Sequence, residues 1–103
     1  MSTDQPNIAV LLLDAARARN FSCYGYDRET TPFIDQLART GTRYEYAFSN
    51  SIYSLPSYAS LFTGQYPTEH GALDWDDRID QNILVEGMNE AGYETRAVST
   101  HLV

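Results

Sequence analysis

Apolar and polar positions follow one another along this chain in stretches that predict strands and helices in turn. Residues 8–13 are apolar throughout, over the length of a strand, which is typical of a strand buried on both faces of a parallel sheet. Residues 43–48 alternate between polar and aromatic side chains, which predicts a strand with one buried face. Residues 95–99 predict a further strand near the end of the sequence.

Three segments between these predicted strands have the pattern of helices. Residues 31–40 are the clearest, because Thr31 can cap the helix, Pro32 suits its first position and Gly41 can end it. The order of elements along the chain, with the two further helices described next, predicts an α/β fold with a mostly parallel sheet.

The second predicted helix covers residues 56–62, with Pro56 at the first helical position and Ser54 or Ser57 as its cap. The third covers residues 81–91, where apolar side chains recur at helical spacing after Asp80, the predicted cap. Pro56 has no N–H to lose at the start of a helix, so its position there costs nothing.

The net charge of the chain limits the classes of molecule that it is expected to bind. It carries 14 acidic and 7 basic residues in 103, for a net charge of −7, and every basic residue is arginine. An acidic surface of this kind excludes nucleic acid as an expected partner. An acidic chain without lysine is also typical of salt-loving organisms, so we expect a halophilic, haloarchaeal source, with an ordinary acidic bacterial protein as the alternative.

Cysteine content and apolar runs bear on where the protein acts. Cys23 is the single cysteine, which excludes an internal disulfide. Residues 1–5 are polar and do not predict a signal peptide, and no apolar run approaches the roughly 20 residues of a membrane helix. We therefore expect a cytoplasmic protein without a membrane segment. The acidic residues near 74–80 lack the spacing of a calcium loop and predict a solvated turn.

Candidate chemistry lies in residues 54–64, Ser-Leu-Pro-Ser-Tyr-Ala-Ser-Leu-Phe-Thr-Gly, which place the hydroxyl of Ser54 at the start of a helix. A sulfate or phosphate group would meet the first amides of that helix and the positive end of its dipole. An ordinary serine-capped helix is the alternative. Asp14 ends the first predicted strand, at the sheet edge where α/β proteins bind ligands, although it could instead only cap the next turn.

These segments resemble the sulfatase family of the alkaline phosphatase superfamily. Its nucleophile motif has Cys or Ser, any residue, Pro, any residue and Arg, and the helix closes on Thr-Gly. Ser54, Pro56 and residues 63–64 match this motif, whereas Tyr58 stands in place of the Arg. The segments that also resemble the family, in the family's order, are residues 6–14, 23–28, 31–35 and 64–71. The chain, residues 1–103, is thus identified as a partial, truncated N-terminal sulfatase domain.

The resemblance implies hydrolysis of a sulfate ester, with Ser54 as the nucleophile, oxidised to formylglycine as in sulfatases. It implies Asp14 as a ligand of a divalent metal ion, with calcium as the first candidate, and it places Tyr58 and His101 near the ester group. Ala15 takes the place of a second metal-binding Asp. The resemblance therefore also implies that the isolated chain is inactive.

Two alternatives stay open. A related branch of the superfamily, which comprises phosphoester hydrolases and phosphoglycerol transferases, uses an unmodified serine with a residue other than Arg at the position of Tyr58. The chain could instead be a non-catalytic remnant, or a fragment that associates with a complementing C-terminal half.

His70 is expected to form structural hydrogen bonds, and Asp14 and Ser54 are expected to approach each other.

Overall fold

The computed structural model describes residues 4–81 and 83–100, and within these residues it forms helices and irregular segments but no strand. The chain divides into two compact units, residues 1–47 and residues 48–103.

From residue 4 onward, the first unit contains two short 3-10 turns and one helix. The turns are Ala18–Asn20 and Ser22–Tyr24, and the helix, α1, is Pro32–Thr40, as the sequence predicts. Thr31 is the residue before α1, but its side chain does not cap the helix and instead donates a hydrogen bond to the Asp35 carboxylate at 3.0 Å.

A hydrogen-bonded cluster ties the second turn to the start of α1. The Ser22 amide donates to the Thr31 hydroxyl at 3.2 Å, and the Ser22 hydroxyl donates to the Asp35 carboxylate. The hydroxyl of Ser22, more than the other groups around it, lowers the pKa of Asp35, because a bond to the charged carboxylate favours that form. The cluster therefore fixes α1 from its first turn.

The predicted strands are not formed. Residues 8–13 are irregular, and their large apolar side chains are exposed, with Leu11 at 81%. Residues 43–48 and 95–99 are also irregular, and Phe48 is 84% exposed. The predicted sheet is therefore not confirmed by the described residues. The physical reason is that a parallel strand takes its backbone hydrogen bonds from neighbouring strands, and the described residues supply none.

Among its described residues, the second unit contains three helices, α2 (Ser54–Thr63), α3 (Pro67–His70) and α4 (Leu84–Glu90). The predicted helix at 56–62 is confirmed, but it begins two residues earlier, so Pro56 occupies its third position. Neither Ser54 nor Ser57 is the cap residue, which is Tyr53. Gly64 ends α2 with φ of 71°, a left-handed conformation that glycine adopts without strain.

The helix predicted at 81–91 is shorter than expected. It begins after Ile83, whose amide donates to the Glu86 carboxylate at 2.8 Å, so Asp80 does not cap it. The short helix α3 was not predicted from the sequence. Pro67 at its start and Gly71 at its end, with φ of 70°, are the local signals for it.

Small side chains form the buried part of the second unit, where α2 packs against α3. Ala59 is 4% exposed and Ala72 is 2% exposed, and the buried polar residues are Ser60 and His70. Because alanine leaves little room between the two helices, the buried histidine lies directly against α2 and its polar atoms need partners there.

Candidate active site

Ser54, the predicted nucleophile, is the first residue of α2 and lines an open cleft of about 590 Å3. One wall of the cleft is residues 52–56, from the approach to α2 and its first turn, and the opposite wall is residues 73–75. The first turn of a helix presents backbone N–H groups and the positive end of the dipole. The cleft can therefore receive an anionic group beside the hydroxyl of Ser54.

The opposite wall is held by hydrogen bonds to three consecutive backbone amides. The Ala72 amide donates to Nδ1 of His70 at 3.0 Å. The amides of Leu73 and Asp74 each donate to the same carboxylate oxygen of Asp77, at 2.9 Å. Two side chains that flank this segment thus fix the backbone that carries the wall.

The Asp77 carboxylate has a lowered pKa, and the cause is this pair of backbone hydrogen bonds, that from Asp74 first and that from Leu73 second. As predicted, the acidic residues lie in a turn, in which the Asp77 amide also donates to the Asp74 carbonyl at 3.0 Å. The turn is therefore stabilised by the ionised carboxylate.

Asp77→Ala should loosen the 73–75 wall. Two amides lose a charged acceptor, so we expect hydrogen exchange at Leu73 and Asp74 to rise about tenfold, measured by NMR. Asp76→Ala, a neighbouring exposed carboxylate in the same turn, is the matched control and should leave both amides unchanged.

The same prediction has a pH dependence. Because the folded pKa of Asp77 is lowered, its contribution is fully present above the ordinary carboxyl pKa and is lost as pH falls through the lowered value. Trp75, the single tryptophan, reports on the wall by fluorescence. An acid transition of Trp75 emission that persists unchanged in Asp77→Ala would contradict this account.

His70 joins the two walls from inside the unit. It is 5% exposed, and its Nε2 lies 3.0 Å from the Ser60 hydroxyl and 3.2 Å from the Pro56 carbonyl. The hydrogen-bonding role predicted for His70 is therefore confirmed. Its partners belong to α2 and to the segment that leads into the second wall.

The other predicted site residues are placed as follows. Tyr58 is half-buried in α2, and it is not among the described residues that line the cleft. Asp14 belongs to the first unit and lies in a turn with Ala15, whose φ is 57°. The expected approach of Asp14 to Ser54 stays a prediction. His101 lies outside the described residues.

The residues described do not fit a divalent metal ion by themselves. In residues 4–81 and 83–100, no three carboxylate, thiol or imidazole side chains come together to hold one. Asp14 is a single carboxylate, and Ala15 beside it offers no ligand atom.

Sequence reasoning missed the second wall of the cleft, residues 73–75. Its one local signal is Trp75, a tryptophan within an acidic turn, which is 62% exposed. Residues 73–75 are far in sequence from residues 52–56, so no sequence pattern indicates that the two segments line one cleft.

Comparisons with known proteins agree on one family. The sulfatase family model matches residues 6–102. The ulvan-active sulfatase of Formosa agariphila is 34% identical over 94 residues, which are 89% of this chain and 19% of that protein. An N-acetylgalactosamine-6-O-sulfatase of Bacteroides thetaiotaomicron is 38% identical over 104 residues, covering 94% of this chain and 20% of that protein. Human arylsulfatase A is 36% identical over 66 residues, covering 64% of this chain and 13% of that protein.

The chain spans about a fifth of the length of the first two of these relatives. No solved structure matches it significantly. Among the residues that the structure describes, no helix has the length and apolar character needed to cross a membrane. Because the family model covers nearly all of the sequence, from residue 6 to residue 102, the chain belongs to the sulfatase family.

Proposed function

We propose that this chain supplies the nucleophile segment of an enzyme that hydrolyses sulfate esters. The observation that carries the proposal is the position of Ser54, the residue that matches the family's nucleophile, at the first turn of α2 and in the wall of a cleft. A helix start is where an anionic group is stabilised by amides and by the dipole.

In the proposed reaction the sulfate group of the ester lies at the first turn of α2. An oxygen of Ser54, either its own hydroxyl or that of a hydrated formylglycine made from it, attacks the sulfur atom. A bond from that oxygen to sulfur forms as the bond between sulfur and the alcohol oxygen breaks, and the proton of the attacking hydroxyl leaves with the alcohol. Sulfate is then released from the enzyme, either by attack of water on the sulfur of the sulfated serine or, for the formylglycine hydrate, by loss of a proton from its second hydroxyl as the aldehyde re-forms. Tyr58 and His101 are proposed to lie near the ester, where the Tyr58 hydroxyl can donate one hydrogen bond.

The complete enzyme is proposed to bind a divalent metal ion, calcium as the first candidate, with Asp14 as one ligand. Sulfatases generally bind such an ion, which neutralises charge on the ester oxygens. The remaining ligands would come from a complementing C-terminal half, which would also add the neighbours that residues 8–13 need to form a strand of a mostly parallel α/β sheet. A cytoplasmic location and a halophilic source stay predictions.

A second candidate function rests on Tyr58. The family has a positively charged Arg at this position, and a tyrosine carries no charge to replace it. A phosphoester hydrolase or phosphoglycerol transferase with unmodified Ser54 is the branch that this residue favours. A non-catalytic remnant is the third reading, and the experiment below distinguishes all three.

The test uses a hybrid enzyme in which this chain replaces the matching segment of the Formosa agariphila sulfatase. We expect the hybrid, with added calcium, to hydrolyse 4-nitrophenyl sulfate at least about a hundredfold more slowly than its parent, because Tyr58 removes one charged donor and Ala15 removes one metal ligand. Tyr58→Arg should recover part of that loss, and Tyr66→Arg, at an exposed tyrosine that does not line the cleft, is the matched control.

The outcomes are distinct. A hybrid that hydrolyses 4-nitrophenyl phosphate in preference to the sulfate would favour the second candidate. A folded hybrid without turnover of either ester, also after Tyr58→Arg, would identify the segment as a non-catalytic remnant and would contradict the proposed function.

A further inference from the structure

His70 contacts both walls of the cleft through opposite edges of one ring. Nε2 faces the Pro56 carbonyl and the Ser60 hydroxyl of α2, and Nδ1 faces the amide of Ala72. We name His70 with these three partners the His70 clamp. Pro56 follows Ser54 by two residues in the same turn, and Ala72 precedes the wall at residues 73–75.

The hydrogen bonds assign the tautomer of the ring. Nδ1 accepts the Ala72 amide, so it carries no hydrogen, and the hydrogen of the neutral ring is on Nε2. Nε2 can then donate to the Pro56 carbonyl at 3.2 Å or to the Ser60 hydroxyl at 3.0 Å. A ring with its hydrogen on Nδ1 would lose the bond to Ala72.

We propose that His70 is a positioning residue, which fixes the first turn of α2, and with it Ser54, against the 73–75 wall of the cleft. The inference rests on the proposed function for the importance of Ser54. The contacts of His70 that carry it can be tested without any enzymatic turnover. His70 acts through Pro56 and Ala72, and it is not proposed to touch the substrate.

Three observations support the role. His70 is 5% exposed and Ser60 is 6% exposed, so their mutual hydrogen bond is shielded from water. Proline has a fixed φ, so a contact to the carbonyl of Pro56 constrains the turn that begins at Ser54. The buried residues around the clamp include the small side chains of Ala59 and Ala72 together with Pro56, so the clamp lies in a part of the unit that is shielded from water.

The two halves of the clamp can be separated by substitution. The amide of His70→Gln can reach the place of Nε2 and donate to Pro56, but it leaves the Ala72 amide without an acceptor. The oxygen of His70→Asn can reach the place of Nδ1 and accept from Ala72, but it is too short for Pro56 and Ser60. Thr68→Asn, on the exposed side of α3, is the control.

The experiment measures amide hydrogen exchange and NMR resonances of the full 103-residue chain. In His70→Asn we expect exchange of the Ser57 amide, which bonds the Tyr53 carbonyl in the first turn of α2, to rise about tenfold. The Ser54 resonances should shift, while Ala72 stays protected. In His70→Gln the pattern should reverse, with Ala72 exposed to exchange and Ser54 unchanged. Thr68→Asn should change neither.

If amide exchange rose equally in both walls, and to the same extent in His70→Asn and His70→Gln, the proposal would be overturned. That result is expected when the His70 side chain only fills space, because neither substitution would then affect one wall more than the other. Unchanged Ser54 resonances in His70→Asn would overturn it as well. If neither variant folds, the tautomer of His70 in the wild-type chain, measured by NMR of its ring nitrogens, tests the proposal. A hydrogen on Nδ1 in place of Nε2 would contradict the clamp. An inactive hybrid enzyme would count against the proposed function alone, since none of these readouts requires turnover.

Discussion

The isolated 103-residue chain should hydrolyse neither 4-nitrophenyl sulfate nor 4-nitrophenyl phosphate at a measurable rate, with or without added divalent metal. Three features of the chain cause this. Ala15 replaces a metal-binding Asp of the family, Tyr58 replaces its Arg, and the described residues contain no cluster that could hold a metal ion. Loss of one stabilising donor typically costs about a hundred- to a thousandfold in rate.

The assay for this prediction compares purified wild-type chain with Ser54→Ala at high protein concentration. Both should give the background rate of the uncatalysed ester. Turnover by the wild-type chain that disappears in Ser54→Ala would show that residues 1–103 are a working enzyme, and it would contradict the expectation that this chain needs the rest of a sulfatase domain.

The helices could be predicted because their signals are local. Pro32 and Gly41 bound α1 within a turn of where the sequence indicates, and Gly64 ends α2. The helix α2 begins two residues before the start that Pro56 indicates, because proline fits at any position of the first turn and so marks that turn without marking its first residue. Local signals thus located α1, α2 and α4 better than their boundaries, whereas α3 was not predicted.

The strands could not be predicted in the same way. The apolar run at residues 8–13 indicates that a segment is suited to burial, but it does not provide the strands that would cover it. Within the described residues those side chains are exposed and the backbone is irregular. A strand forms only when neighbouring strands bond to its backbone. The sequence pattern of one segment therefore predicts that it is suited to a buried strand, but it does not show whether those neighbouring strands are present.

The candidate site also has one part that a local sequence signal predicts and one part that it does not. Ser54 was identified from a short motif, and the structure places it in a cleft. The second wall was missed, because it depends on Asp77 and His70 holding three successive amides, and side-chain to backbone contacts of that kind leave no periodic pattern. Motifs locate reactive groups, whereas the walls around them depend on hydrogen bonds that only coordinates show.

The second large effect is expected from the nucleophile itself within the hybrid enzyme. Ser54→Ala removes the only atom proposed to attack the sulfur, so kcat for 4-nitrophenyl sulfate should fall by at least about a thousandfold, whereas substrate binding should change much less. Ser57→Ala is the matched control. It removes the same atom from the same helix, where the Ser57 hydroxyl bonds that of Ser49 at 2.7 Å, away from the proposed attack.

The central claim is therefore tested most directly by the kcat of the hybrid enzyme and of these two variants, each shown to be folded by circular dichroism. The account predicts loss of turnover in Ser54→Ala and a kcat within about tenfold of the unsubstituted hybrid in Ser57→Ala. A hybrid that keeps its turnover after Ser54→Ala would contradict the assignment of Ser54 as the nucleophile.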